Sequence, residues 1–232
     1  MKQERASPLR LSIIIPALNE EASIVAMLQR LQAMRRRGHE VIVVDGGSSD
    51  ETVVRATALA DQIIHSKSGR ARQMNAGAEQ AHGDLLWFLH ADTWVPEEGD
   101  ILLSKTLEDQ KARWGRFDVR LSGRHPLFWL IARMMNLRSC LTRIATGDQG
   151  IFVHRALFTQ VRGYPNQPLM EDIALSKRLK KFSKPLCIDT PLITSSRRWE
   201  SRGILRTMFL MWRLRFYYAL GVDPVHLARL YR

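Results

Sequence analysis

Short apolar runs and helical patterns alternate over roughly the first 95 residues, and this alternation constrains the fold more than any other feature of the sequence. The runs are rich in β-branched residues and end at turn-forming residues, which is typical of buried strands. They cover residues 11–15, 40–44, 61–65 and 85–89. Helices are predicted between them at residues 19–36, 51–60 and 70–81. Because strands separated by helices pair in parallel, the sequence predicts an α/β fold with a mostly parallel central sheet.

Beyond residue 96 the alternation becomes less regular, although helices and strands are still predicted. They are a helix at residues 99–110, a half-exposed strand at 114–121, a short strand at 150–153 and a helix at 173–182. No repeat or linker separates these segments from the first half, so one domain is expected. Its predicted parts are an N-terminal extension at 1–10, a domain at 11–200 with a nucleotide-binding half (11–95) and an acceptor half (96–200), and a basic amphipathic helical segment at 201–232.

The formal net charge of +12 predicts a polyanionic partner. Nucleic acid, an anionic membrane surface and a diphosphate-bearing substrate all fit that charge. The basic residues are spread along the chain and become denser in the last third, which favours a broad surface over one compact patch. No nucleic-acid-binding motif accompanies the charge, so nucleic acid is not expected as a partner.

Two aromatic-rich basic segments have the composition of helices that lie at a membrane interface. One covers residues 204–220, where Arg206, Arg213 and Arg215 interrupt an otherwise apolar stretch and make a transmembrane helix unfavourable. The other covers residues 126–135. Packing of both segments on the protein core is an equally good interpretation, because apolar periodicity alone does not separate the two cases.

The cysteines and the start of the chain indicate a compartment. Cys140 and Cys187 lie in apolar surroundings without metal-ligand spacing, so a pair of buried thiols in a reducing environment is favoured over a disulfide. No apolar segment of a signal peptide follows Met1. The expected location is therefore the cytoplasm, with peripheral attachment to the inner face of the membrane.

Carboxylates stand at three positions where such a fold binds ligands. Asp45 closes the second strand, Asp92 follows the fourth, and Glu171 and Asp172 begin a downstream helix. In open α/β sheets, ligands bind beyond the carboxyl ends of the strands. Carboxylates that converge there suit an enzyme that works on a phosphorylated, metal-bound substrate.

Several motifs resemble those of glycosyltransferase family 2 and follow the same order along the chain. The members of this family are inverting enzymes with a GT-A fold (nucleotide-diphospho-sugar transferase, Rossmann-like). The matching segments are residues 12–21, 43–52, 69–77, 88–93, 170–172 and 197–199. Together they cover residues 11 to 200, and their ordered succession is far more specific than any single motif. The residues around His90 and Trp199 are most similar to those of a small bacterial subgroup assigned to arsenosugar biosynthesis.

The resemblance implies a nucleotide site at the ends of the first strands. Pro16 is expected to end the first strand and leave backbone groups free for the base, while Asp45 accepts a hydrogen bond from uracil. The alternative for Asp45 is that it only begins an Asp-Gly turn. Arg70 and Arg72 would bind phosphate oxygens at a helix N-terminus, or else be solvated surface charges. The implied nucleotide-binding residues are Pro16, Ala17, Asn19, Glu20, Asp45, Gly46, Arg70, Arg72 and Ala91.

The resemblance also implies a divalent metal, Mg²⁺ or Mn²⁺, at the segment His90-Ala91-Asp92. This segment occupies the position of the family's Asp-x-Asp motif, in which carboxylates hold a metal that neutralises the leaving diphosphate. Asp92 is expected to hold the metal. His90 replaces the first aspartate, so it would contact the nucleotide or ligate Mn²⁺ through nitrogen. The alternative for Asp92 is a capping residue.

The acceptor side is implied by residues further along the chain. Asp172 matches the family's catalytic base, which takes the acceptor proton during attack, and Glu171 would orient the acceptor. A preference of carboxylates for a helix N-terminus is the alternative. Four of the other implied residues, Gly147, Asp148, Gln149 and Trp199, would lie at the acceptor, and Arg198 would approach the diphosphate.

Arg198 and Trp199 resemble the end of the Gln-x-x-Arg-Trp motif of processive members, but Ser195 stands in place of the Gln. The sequence thus predicts transfer of a single sugar from a nucleotide sugar, chiefly a UDP-sugar, to a hydroxyl-bearing acceptor that is either soluble or lipid-linked. A polyprenyl-phosphate glycosyltransferase at the membrane surface is one alternative. A non-catalytic nucleotide-sugar-binding protein or membrane adaptor is the other.

Overall fold

The computed structural model describes residues 9–110 and 112–231, so most of the predicted N-terminal extension lies outside the described residues. These residues form a seven-stranded sheet covered by helices on both faces. The strands are β1 (Leu11–Ala17), β2 (Glu40–Asp45), β3 (Gln62–His65), β4 (Leu85–Phe88), β5 (Trp114–Leu121), β6 (Phe152–His154) and β7 (Leu186–Thr194). The helices are α1 (Ile24–Arg36), α2 (Thr52–Thr57), α3 (Arg70–Gln80), α4 (Gly99–Gln110), α5 (Pro126–Thr142), α6 (Arg155–Gln160), α7 (Glu171–Leu179), α8 (Arg197–Arg202), α9 (Ile204–Ala219) and α10 (Pro224–Tyr231).

The first four strands pair in parallel, in the order β3-β2-β1-β4, as the sequence predicts. Pro16 does not end β1, which corrects the expectation. The strand continues through Pro16, opposite Val44 of β2. On the other side β4 pairs with β1 only as far as Ile14. No strand therefore needs a hydrogen bond from the nitrogen of Pro16, which is why proline is tolerated there.

The second half of the chain extends the same sheet in the order β4-β6-β5-β7. Strand β6 is antiparallel to both β4 and β5, whereas β5 and β7 are parallel. Strand β5 is more buried than the half-exposed strand that its alternation predicted, because its side chains pack in apolar clusters on both faces of the sheet and against α5. The fold is thus a single α/β domain with a mostly parallel sheet.

Each face of the sheet has its own hydrophobic core, and β1 contributes alternate residues to each. Ile13 and Ile15 pack with Leu28 and Leu31 of α1 on one face. Ile14 packs with Met74 of α3 and other buried residues on the opposite face. Both faces of a parallel sheet must be covered, so its strands are almost continuously apolar.

The C-terminal helices are only partly packed on the domain. Helix α9 buries Thr207 and Leu214, and α10 buries Leu227. Four large apolar side chains of α9, together with Leu220 just after its last residue, form an exposed stripe at helical spacing: Leu205, Phe209, Trp212, Phe216 and Leu220. A second set of exposed residues lies on α5: Trp129, Leu130, Met134, Leu137 and Leu141. The helices described are all too short or too polar to cross a membrane.

Cys140 on α5 and Cys187 on β7 form a disulfide, which corrects the expectation of two buried thiols. Their Cα atoms are 6.4 Å apart, a spacing that a disulfide spans. Cys140 is exposed and Cys187 is half-buried, so neither is the buried thiol that the neighbouring apolar residues in the sequence indicated. The inference of a reducing compartment loses its basis with this bond, since disulfides persist mainly in oxidising environments.

Asp100 links the end of α1 to the start of α4 through a buried ion pair. Its carboxylate is 2.7 Å from both Nε and Nη2 of Arg37 and 2.9 Å from Nε2 of His39. Burial raises the pKa of Asp100, but the hydrogen bonds from His39 and Arg37 outweigh that effect and hold the pKa well below its usual range. This carboxylate is therefore charged in the folded protein at every pH of physiological interest.

Replacing Asp100 with Asn is expected to lower the free energy of unfolding by about 3 kcal/mol at neutral pH, because Arg37 and His39 lose a buried partner. Since the folded pKa is depressed, this stabilisation is present above the unfolded pKa of about 3.9 and is lost as pH falls through the folded pKa. Urea denaturation from pH 7 down to pH 3 would measure the difference. The exposed Asp109→Asn on the same helix is the control, and a loss below about 1 kcal/mol would contradict the prediction.

Candidate active site

Two loops at the carboxyl ends of β1 and β2 are hydrogen-bonded to each other. The backbone N–H of Asn19 donates to Ser48 Oγ at 2.9 Å, and Asn19 Oδ1 accepts from the Ser49 N–H at 2.9 Å. The N–H of Glu20 donates to Thr52 Oγ1 at 2.8 Å. Asn19 adopts a left-handed backbone conformation, which Asn tolerates better than most residues. Asn19 and Glu20 therefore hold the two loops together at the predicted nucleotide end of the sheet.

Asp45 is buried at the end of β2 and accepts hydrogen bonds within its own turn. Oδ2 accepts from the N–H of Gly47 at 3.0 Å, and Oδ1 accepts from the N–H of Ser48 at 3.1 Å. Burial raises the pKa of Asp45, but hydrogen bonds from Ser48, Gly47 and His65 outweigh it and lower the pKa. The turn role that the Asp-Gly dipeptide predicts is thus realised, and recognition of a base by Asp45 would have to use its remaining acceptor capacity.

Gln73 joins the ends of β1 and β2, a role that the sequence did not reveal. Its buried side chain donates from Nε2 to the carbonyls of Ala17 and Val44, both at 2.8 Å. It also lies against Gly46, where an added Cβ would be 3.0 Å from Nε2. Ala17 and Gly46 thus shape the strand ends through the backbone. The only signal in the sequence was a polar residue on the core-facing side of α3.

Arg70 and Arg72, both exposed, stand in the first turn of α3. Arg72 Nε donates to Asn166 Oδ1 at 3.0 Å, which turns it toward the loop before α7. Arg70 lies close enough to both carboxyls to favour their charged forms: it helps to lower the pKa of Asp148 and offsets part of the rise in the pKa of Glu171. The structure therefore places Arg70, rather than Arg72, beside the acidic residues of the candidate site.

His90, just past β4, packs against the 3₁₀ turn Gly147–Gln149. His90 Nδ1 is 3.3 Å from Asp148 Oδ1, and an added Cβ on Gly147 would be 2.6 Å from His90 Nε2. The side chain of Asp148 is still 44% exposed. Burial raises the pKa of Asp148, but His90, Arg70 and Arg215 outweigh it and lower the pKa. Both ring nitrogens of His90 face this turn, so the geometry favours a positioning contact over the predicted metal ligation.

Asp92 separates two open cavities and has no hydrogen-bond or ion-pair partner within the described residues. The larger cavity has a volume of about 550 Å³, within the usual range for small-molecule sites. The smaller has a volume of about 210 Å³ and is lined by the neighbouring Ala91. Trp94 and Ser195 line both cavities. A half-buried carboxylate without a partner, at the end of a central strand, is available to a ligand.

Trp94 is a further residue that sequence reasoning missed. Its ring is 46% exposed and is stacked under the guanidinium of Arg30, 3.3 Å from the ring centroid. Its backbone pairs with Ile193 of β7. An exposed indole on a cavity wall offers a flat apolar surface to a sugar or base. The sequence feature that could have indicated Trp94 is its position two residues after Asp92, the carboxylate predicted to hold the metal.

Glu171 and Asp172 begin α7 with different surroundings. Asp172 Oδ2 accepts from the N–H of Gly147 at 3.0 Å, and its Oδ1 accepts from the N–H of Ile173 at 2.7 Å. Glu171 is buried, and no other side chain of the described residues hydrogen-bonds to its carboxyl. Burial and the neighbouring charge of Asp172 raise the pKa of Glu171. Asp172 is thus fixed and half-exposed beside the Gly147 turn, as a catalytic base would need to be.

Gln149 does not reach an acceptor, which corrects the prediction for this residue. Its side chain is fully buried. Its Nε2 donates to Ser139 Oγ at 2.9 Å, and its Oε1 accepts from the N–H of Thr146 at 3.2 Å. Gln149 therefore anchors the turn that carries Gly147 and Asp148 to α5.

Arg198 and Trp199 on α8 point in different directions. Trp199 packs into an apolar cluster with Leu121, Phe128 and Ile131, so its predicted contact with the acceptor is not what the structure shows. Arg198 hydrogen-bonds to the hydroxyl of Tyr231 and stacks over its ring at 4.2 Å. Burial and the positive charges of Arg202 and Arg70 lower the pKa of Arg198, while Asp148 opposes them. Arg198 therefore lies near Arg70 and Asp148, but is bound to the C-terminal helix.

The side chains around Asp92 fit a divalent metal that has few ligands from the protein itself. Asp92 supplies one free carboxylate, and the described residues contain no group of three His, Cys, Asp or Glu side chains placed to enclose an ion. Mg²⁺ is commonly bound by one or two carboxylates, with the remaining positions filled by substrate phosphates and water. Asp92 would hold the metal in this way, and the metal would neutralise diphosphate charge.

Comparison with known proteins identifies the fold and motifs together. The family model described as "Glycosyl transferase family 2" matches residues 12–158, which is more than half of the chain. The chain belongs to glycosyl transferase family 2. This match includes the ends of β1, β2 and β4 as well as the turn at Gly147. The resemblance seen in the motifs is thereby confirmed at the level of the family.

Curated relatives match part of this family domain. The chain is 33% identical over 117 residues to an undecaprenyl-phosphate 4-deoxy-4-formamido-L-arabinose transferase of Serratia proteamaculans, covering 45% of this chain and 36% of that protein. The same enzyme of Yersinia pestis is 33% identical over 154 residues, covering 61% and 46% respectively. The chain thus spans less than half the length of these relatives. The names of both relatives specify undecaprenyl phosphate and 4-deoxy-4-formamido-L-arabinose, and neither names the arsenosugar subgroup that the residues around His90 and Trp199 resemble.

Solved structures show the same fold at low sequence identity. S. aureus TarS 1–349 in complex with UDP-GlcNAc has a TM-score of 0.63 at 17% identity, covering 81% of this chain and 58% of that chain. The mannosyltransferase PcManGT of Pyrobaculum calidifontis, in complex with GDP-Man and Mn²⁺, has a TM-score of 0.64 at 19% identity, covering 90% and 61%. These likenesses establish that this family 2 domain has the GT-A glycosyltransferase fold.

Proposed function

We propose that this family 2 domain transfers one sugar from a UDP-sugar to an oxygen of an acceptor, by direct displacement with inversion. The observation that carries the proposal is the turn Gly147–Gln149, which contacts both carboxylate-bearing segments. Its Gly147 N–H donates to Asp172, and His90, two residues before the partnerless Asp92, packs against the same turn. Asp92 would hold Mg²⁺ or Mn²⁺, and the metal would neutralise the leaving diphosphate. Asp172 would take the acceptor proton.

The other residues of the site would position these groups. Asn19 and Glu20 hold the two loops together and Gln73 joins the strand ends, so they would preorganise this end of the sheet for the base. Asp45 would do the same by fixing its own turn. Arg70 would add positive charge beside the diphosphate, and Arg198 could do so once released from Tyr231. The buried Glu171, with its raised pKa, would share the acceptor side with Asp172.

Two acceptor classes are compatible with this chemistry, and the relatives favour one of them. A polyprenyl phosphate is supported by the relatives, whose names specify undecaprenyl phosphate. A hydroxyl acceptor is supported by the residues around His90 and Arg198, which resemble those of the arsenosugar subgroup. A non-catalytic binding role is less well supported, because Asp92 and Asp172 are both present in the candidate site.

The domain is also proposed to attach peripherally to an anionic membrane on its inner face. The exposed stripe consists of four large apolar side chains of α9 and Leu220 at its C-terminal end, with Arg206 and Arg213 beside them. Helix α9 contains no acidic residue. Such a helix is attracted to anionic lipids both by apolar burial and by charge, and the cytoplasmic leaflet carries negative surface potential.

Calorimetric titration of UDP and of GDP, each with and without Mn²⁺, tests the donor site. We expect UDP to bind in the presence of Mn²⁺, and its affinity to fall by about tenfold or more when Mn²⁺ is omitted or Asp92 is replaced by Ala, because a charge-to-metal contact is lost. The exposed Asp109→Ala serves as the control. Failure of both nucleotides to bind the wild-type protein would exclude the transferase and favour the adaptor role.

A further inference from the structure

Two arginines near Asp172 have no acidic partner at contact distance. Arg138 is on α5 and Arg215 is on α9, and both are partly buried. Arg138 Nη1 donates to the carbonyl of Ile144 at 3.4 Å, while its Nη2 is buried without a hydrogen-bond partner. Within residues 9–110 and 112–231, no carboxylate oxygen lies within 4.0 Å of either guanidinium. A buried guanidinium nitrogen without an acceptor is costly, so this position suits an anionic ligand.

A small apolar cluster brings these arginines to the site. Ile144, Ile173 and Leu214 pack against one another, and they adjoin the groups in question: Ile144 accepts from Arg138, Ile173 follows Asp172, and Leu214 precedes Arg215. Three elements, the end of α5, the start of α7 and the middle of α9, therefore meet at one point beside Asp172.

The electrostatics of the two arginines agree with this placement. Burial, together with the positive charges of Arg215 and Arg116, lowers the pKa of Arg138 to about 10, and Asp172 opposes that shift. Burial likewise lowers the pKa of Arg215, and Asp172 and Asp148 oppose it. Two partly desolvated cations thus share one nearby carboxylate, Asp172, that already accepts two backbone hydrogen bonds. An incoming anion would relieve their repulsion.

We propose that Arg138 and Arg215 bind the phosphate group of a phosphate-bearing acceptor next to Asp172. This proposal rests on the transferase function and deepens it, by naming the chemical class of the acceptor. Guanidinium groups match phosphate oxygens in geometry and form strong charge-assisted hydrogen bonds with them. Both arginines stand on the helices that carry the exposed apolar side chains, so a phosphate with an apolar chain fits best. Its chain would lie along α5 or α9.

Binding of farnesyl phosphate, farnesol and sn-glycerol 3-phosphate to the full chain with UDP and Mn²⁺ tests this site. We expect farnesyl phosphate to bind at least about tenfold more tightly than farnesol, and to lose about tenfold in affinity in Arg138→Gln and in Arg215→Gln. UDP affinity should stay within about twofold of wild type, as a donor site elsewhere requires. The exposed Arg133→Gln on α5 and Arg229→Gln on α10 are the controls. Equal affinity for sn-glycerol 3-phosphate would identify a soluble phosphate ester as the acceptor, which keeps the phosphate site but removes the lipid.

Two results would overturn the inference while leaving the transferase intact. In the first, UDP binds, but farnesyl phosphate binds no better than farnesol or keeps its affinity in both variants. The other is a loss of UDP affinity in the variants with farnesyl phosphate unaffected, since the arginines would then serve the donor. If Arg138→Gln fails to fold, Arg138→Lys and Arg215→Gln decide the matter. Absence of UDP binding in the wild type would instead count against the proposed function.

Discussion

Asp172→Asn is expected to slow sugar transfer by about 10²- to 10⁴-fold, which is the usual contribution of a general base. A hydroxyl acceptor, or a phosphate that still carries its proton, must lose that proton as its oxygen attacks, and an amide cannot accept the proton. The amide oxygen of Asn can still accept from Gly147 or from Ile173, whose N–H groups now donate to the carboxylate at 3.0 and 2.7 Å. The turn at Gly147 should therefore be retained, and UDP affinity should change little.

Steady-state rates with UDP-sugar and acceptor, together with calorimetric UDP binding, would measure this effect. Glu171→Gln is the matched variant, because Glu171 is the adjacent carboxyl and is buried. We expect it to lose less activity than Asp172→Asn. A loss below about tenfold in Asp172→Asn would show that the acceptor oxygen arrives without its proton, as a phosphate dianion would. Asp172 would then have only a positioning role.

Replacing Phe209, Trp212 and Phe216 together with Ser is expected to weaken binding to anionic vesicles by about 10²-fold. These rings are 60%, 50% and 61% exposed, so their removal takes little from the folded core. Partial insertion of each ring into the lipid interface would contribute about 1 kcal/mol, less than full burial of an aromatic side chain. Three such losses correspond to about a hundredfold.

Flotation with vesicles that contain anionic lipid, compared with neutral vesicles, would measure this binding. Val54, Ile101 and Phe182 are exposed apolar residues outside α5 and α9, so their triple Ser variant is the matched control. The control should float like the wild type. Equal flotation of the α9 triple variant and the wild type would contradict membrane contact through this helix.

The first half of the sheet was predictable because its signals are local. Strands β1 to β4 are short apolar runs separated by the predicted helices. Helix α1, however, begins at Ile24 and not at residue 19, because Asn19 adopts a left-handed conformation in the loop before it. Strand β7 was missed since Pro191 interrupts its pattern. In the structure the pairing with β5 shifts register between Phe117, opposite Ile188, and Asp118, opposite Pro191. An irregularity of this kind accommodates proline in a strand, and only the partner strand reveals it.

The candidate site divides in the same way. Asp92 and Asp172 were predicted because a carboxylate after a strand or at a helix start is visible in the sequence, whereas Asp148 was implied only by the family resemblance. Gln73, Trp94 and the arginines Arg138 and Arg215 were missed as site residues, because their roles depend on which elements meet in space. Trp199 was misplaced for the related reason that its apolar partners on β5 and α5 lie more than sixty positions away in sequence.

The strand order has a consequence for how the chain folds. Strand β4 is flanked by β1 on one side and by β6 on the other, and β6 begins at Phe152. During synthesis, Leu85–Phe88 would thus present an open apolar edge until more than sixty further residues have been made. Such an edge pairs readily with other chains. Insertion of β6 between β4 and β5 covers this edge, so a fragment ending near residue 95 is expected to aggregate.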